Sequence, residues 1–191
     1  MTKGRLEAFS DGVLAIVITI MVLELKVPHG DDLHALGPMV PLFLSYVLSF
    51  VYVGIYWNNH HHLLHATKEI GGGVMWANLA LLFCLSLIPV VTAWVGDYPR
   101  APWPTALYGV VLLLCGAAYW ALERTIIAHD PHRELARAMG RKFKEKLSLV
   151  GYGAGIALAF VQPWLADVVY AIVALSWIVP DRRIESVLRA G

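Results

Sequence analysis

Read from its amino terminus, the chain alternates long apolar runs with short polar interruptions, and the apolar runs set its architecture. A hydrocarbon core of about 30 Å takes roughly 20 helical residues to cross. Six stretches, near 8–27, 39–61, 73–96, 103–127, 147–163 and 165–180, are read as long enough to cross it. The fifth and sixth are the shortest. They separate at Gln162, Pro163 and Trp164, where a turn is expected, with Asp167 close by. The pattern predicts an all-α integral membrane protein of six transmembrane helices, one domain over 1–191. No internal repeat is visible.

Within the first run, the polar positions divide the helix into two faces. At about 100° per residue, Ile16 and Leu23 point the same way, Thr19 and Ile20 flank them, and Gly12 extends the stripe towards the N-terminus. Asp11 falls roughly 120° from that stripe. It therefore faces a neighbouring helix, while the stripe faces something else. On its own, such a stripe is usually lipid contact or ordinary helix packing. An intramembrane carboxylate is rarer, and marks either a structural pair or an ion path. Candidate partners are His60 in Tyr56–His65 (YWNNHHHLLH), Asn78 at the start of the third run, and Arg5. On the wheel Arg5 lies close to the stripe direction.

Composition agrees with the membrane reading: 58% of the 191 residues are hydrophobic and 15% are charged, against about 25% charged in a soluble domain. Mean hydropathy is +0.62. The net charge of +1 hides an asymmetry. Of the 15 lysines and arginines, all except Lys26 and Arg100 fall on the side that holds the N-terminus. This places both termini in the cytoplasm and supports an even number of crossings. Residues 128–146 form the longest polar connection, a basic cytoplasmic segment that either lies on the anionic inner leaflet or extends the fifth helix. Trp94, Tyr98 and Trp103 stand at interfacial depth. No cleavable signal peptide is expected, because the first run is long and lacks a small-residue cleavage site.

Other chemistry is sparse. Cys84 and Cys115 lie in separate apolar runs, without metal-ligand spacing. His61 and His65 are four apart, as zinc ligands on a helix are, but no carboxylate or cysteine accompanies them, so no metal is expected. No nucleophile–base constellation lies at membrane depth, so the chain reads as a non-enzyme without cofactor. Glu24 and Lys26 form a solvated pair at the outer end, and Pro89 marks a kink or end of the third helix.

Three elements in order carry a resemblance: Arg5-x-x-x-Phe9-Ser10-Asp11, Trp57-x-x-His60, and Asn78 with Pro89 eleven residues on. Together with six helices, they resemble the transmembrane protein 175 family of potassium channels, in its single-repeat form. The match covers the first three helices. The last three agree only in count, length and the basic connection. The resemblance implies a homotetramer whose first helices line a central pore. It implies a constriction at Ile16, a hydroxyl layer at Thr19, Ile20 in or beside that layer, and an outer apolar ring at Leu23. Ion selectivity would rest on Thr19 and Ile16. Arg5, Phe9, Ser10, Asp11, Trp57, His60 and Asn78 would hold the pore helix. A modestly potassium-selective leak channel in a prokaryotic plasma membrane is expected, with potassium as the permeant ion and some proton permeation. The competing reading is a proton-coupled carrier that titrates Asp11 with His60.

Overall fold

In the computed structural model, residues 2–65, 67, 70–128 and 143–178 are described. They form seven α-helices: α1 (Lys3–Leu23), α2 (Val40–His65), α3 (Gly72–Ser86), α4 (Ile88–Asp97), α5 (Pro102–Ala128), α6 (Phe143–Ala159) and α7 (Pro163–Ile178). A short 3-10 helix, Leu33–Met39, leads into α2, started by Asp32, whose carboxylate accepts from the Ala35 amide at 3.1 Å.

Seven helices make six crossings because α3 and α4 are one span broken at Leu87. Pro89 has no amide hydrogen to continue the ladder, so it sits in the first turn of α4, where none is needed. The same reason puts Pro102 and Pro104 at the start of α5 and Pro163 at the start of α7. Runs 3–23, 33–65, 72–97 and 102–128 are each long and apolar enough to cross a membrane. The last two helices, of 17 and 16 residues, are shorter and pack on each other as a hairpin.

The hairpin turn lies at 160–162, where the Gln162 amide donates to the Leu158 carbonyl at 2.7 Å. Pro163 and Trp164 are thus the first residues of α7 and not part of the turn. Phe143–Lys146 belong to α6, so this end of the basic connection extends the helix. Residues 129–142 of that connection lie outside the described residues.

The core runs along α5, against which α3, α4, α6 and α7 pack. Leu112, Cys115 and Leu122 of α5 are wholly enclosed, as are Val53 and Leu64 of α2 and Leu81 of α3. Tyr170 of α7 fits between two glycines. A Cβ on either Gly109 or Gly155 would strike its ring or hydroxyl. Tyr170 donates to the Thr105 carbonyl at 3.3 Å, and its own carbonyl accepts from Tyr52 at 2.6 Å. Helix α1 stands at the edge of this bundle, on α2, α3 and α4.

Candidate functional site

Helix α1 has two faces set by its sequence period. Leu6, Ser10, Leu14, Val17 and Met21, spaced three or four apart, are buried against the bundle. On the opposite side Gly12, Ile16, Thr19, Ile20 and Leu23 are uncovered in the single chain. Ile16 is 59% exposed and Leu23 79%. Thr19 donates its hydroxyl hydrogen to the Ile16 carbonyl at 2.9 Å. Its oxygen keeps acceptor lone pairs on the uncovered face, which is the polarity a cation needs.

Behind that face, a chain of hydrogen bonds ties three helices together in one consistent direction. His60 Nε2 lies 2.7 Å from Asn78 Oδ1, an oxygen that can only accept, so the imidazole donates. Asn78 Nδ2 donates to Ser10 Oγ at 3.0 Å, and Ser10 donates to the Leu6 carbonyl at 2.9 Å. All three side chains are buried, and each donor has one acceptor. Leaving any one of them unpaired in this interior would cost free energy.

Asp11 is reached differently from the sequence expectation. Its carboxylate is exposed and accepts from Trp57 Nε1 at 3.0 Å, while the imidazole and amide expected beside it serve Ser10 instead. Arg5 and Phe9 are exposed and stand outside this set of bonds; Arg5 lies on the stripe side of α1. Trp57 stacks on His61 and His61 on His65, with ring centroids 6.2 and 6.0 Å apart. Lys3 closes the end of α2 by donating to the His65 carbonyl at 2.7 Å, a cation at a helix C-terminus. Among the described residues, no three His, Cys, Asp or Glu side chains group as metal ligands.

Two features escaped the sequence reading. One is the Lys3 contact. The other is a buried hydroxyl cluster joining α2, α4 and α5, in which Ser49 Oγ lies 2.7 Å from Thr92 Oγ1 and 2.9 Å from the Tyr108 hydroxyl. Lone hydroxyls in apolar helices are the signal for such glue.

The fold and the site define an all-helical integral membrane protein of six crossings that leaves one face of its first helix uncovered. Residues 5–89 match the family "Endosomal/lysosomal potassium channel TMEM175". The chain is 53% identical over 190 residues to a potassium channel of Chryseobacterium sp. (strain P1-3), covering 99% of both. It is 34% identical over 185 residues to a potassium channel of Streptomyces collinus, covering 91% of this chain and 90% of that one. The crystal structure of a lysosomal potassium-selective channel TMEM175 homolog from Chamaesiphon minutus superposes with a TM-score of 0.80 at 26% identity, covering 92% of this chain and 96% of that one. The chain belongs to the TMEM175 family of potassium channels.

Proposed function

We propose that this chain is one of four identical subunits of a potassium channel of modest selectivity, with α1 of each subunit lining the axis. The observation that carries this reading is the uncovered stripe of α1 with a hydrogen-bonded interior behind it. One stripe encloses nothing. Four of them around an axis enclose a pore.

Ile16 from four subunits closes that pore as an apolar constriction, which excludes water until it widens slightly. Four Thr19 oxygens replace part of a cation's hydration, which favours potassium because it sheds water more cheaply than sodium. Ile20 borders this layer and Leu23 forms the outer ring. The chain has no TVGYG stretch for a stack of backbone carbonyls, so a filter of that kind has no residues to build it. One hydroxyl layer gives modest discrimination, and protons pass as well. Ser10, Asp11, Trp57, His60 and Asn78 fix the rotation of α1, and Arg5 faces the cytoplasmic mouth. Phe9, exposed in one chain, packs against the next subunit. Both termini lie in the cytoplasm of a prokaryotic cell with the helices across its plasma membrane, a reading supported by the lysine and arginine asymmetry and by the bacterial relatives. A proton-coupled carrier is disfavoured, because Asp11 and His60 bond to different partners and form no pair.

The test is ion flux in vesicles containing the purified protein. Potassium is expected to move faster than sodium without a proton gradient. Equal fluxes would remove the selectivity, and a saturating flux that requires protons would replace the channel with the carrier.

A further inference from the structure

Away from α1, a cavity of about 510 Å³ opens between α2, α5, α6 and α7. Its size falls in the range of about 300–1,000 Å³ that holds a ligand. Its walls are almost wholly apolar, built from Ile55, Tyr56, Gly116, Tyr152 and neighbouring side chains. The charged lining residues come from where α5 ends and α6 begins: Arg124 and Lys146, both exposed, and the half-buried Glu145. Arg124 lies 5.1 Å from the centre of the Trp120 ring, and Lys144 lies 5.8 Å from that of Trp177. Two tryptophans and three cations thus mark headgroup depth at one end of an apolar slot.

We infer that this cavity binds an anionic phospholipid, with an acyl chain between α2, α5 and α6 and the phosphate held by Arg124 and Lys146. The charge order carries the assignment. A neutral hydrophobic ligand would have no use for cations at one end alone, and among the described residues Arg124, Lys144 and Lys146 against Glu123 and Glu145 leave that end positive. With six crossings, the end of α5 lies at the same level as the N-terminus of α1. The headgroup therefore belongs to the leaflet on that side, the cytoplasmic one if the orientation proposed above holds. Basic pockets between membrane helices at this level suit anionic headgroups. The binding itself requires only that the helices cross the membrane, so it stands or falls separately from conduction.

Native mass spectrometry of the full-length oligomer in detergent, with phosphatidylglycerol or phosphatidylcholine added, tests it. Phosphatidylglycerol should bind in preference. Arg124→Gln and Lys146→Gln should each weaken its binding about fivefold and leave phosphatidylcholine unchanged. Gly116→Leu should block both lipids. A Cβ there meets only ordinary contacts, 3.7 Å from Tyr152 and 3.8 Å from Tyr56, and the longer side chain enters the cavity. Three results would overturn the proposal: equal binding of the two lipids, phosphatidylglycerol binding unaffected by both glutamine variants, or no lipid on the wild-type oligomer.

Discussion

Asn78 is the residue on which the interior of the site turns, because its amide both accepts from His60 and donates to Ser10. Asn78→Leu leaves the buried His60 N–H without an acceptor, removes one of the two bonds of Ser10, and should destabilise the protein by about 1–3 kcal/mol, seen as a lower melting temperature in detergent. Asp11→Ala removes only an exposed bond to Trp57, and its melting temperature should fall less. The reverse order would show that the carboxylate, not the amide, anchors α1. Thr19 tests the hydroxyl layer separately. Thr19→Val keeps the shape but not the oxygen, so potassium-over-sodium discrimination should collapse in vesicle flux while conduction persists. At this scale the expected set divides: Ser10, Asp11, Trp57, His60 and Asn78 are hydrogen-bonded, Arg5 and Phe9 stand outside those bonds, and Asp11 takes a different partner from those expected for it. His60, Trp57 and Asn78 stand at the right depth beside Asp11, yet spacing along α2 does not say which side chain reaches the carboxylate. The longer indole reaches it, and the imidazole turns inward.

The helices show where a hydrophobic pattern is informative and where it stops. The two faces of α1 were legible because the 3.6-residue period separates Ser10, Leu14, Val17 and Met21 from Ile16, Thr19 and Leu23. The ends of α6 and α7 were less so. An apolar run marks what lies in lipid, whereas α6 begins at Phe143 among charges that are helical but not immersed. Pro89 was read as a kink or end, and in the fold it stands at the break, seating the first turn of α4 just after α3 stops at Ser86. The glycines of α5 and α6 gave no readable signal, since their role depends on a tyrosine from α7. Gly155→Val forces a branched side chain against Tyr170 and should cost about 1–3 kcal/mol by overpacking. A melting temperature within error of wild type would mean that Tyr170 moves aside freely.

For the whole molecule, the uncovered stripe calls for partners of its own kind. Six crossings bury one side of α1 and leave Ile16, Ile20 and Leu23 exposed among the described residues. Lipid would satisfy those apolar groups but gives no use to Thr19 between them, or to a buried network that fixes which way the stripe faces. Closure around an axis uses both. The native mass of the purified protein should therefore be four times the 21.1 kDa chain. The most direct measurement of the central claim is potassium flux through Ile16→Asn in vesicles, at matched amounts of intact oligomer. An amide at the constriction keeps it wet, so flux should rise well above wild type without loss of assembly. An unchanged flux from an intact oligomer would place Ile16 off the ion path and contradict α1 as the pore helix.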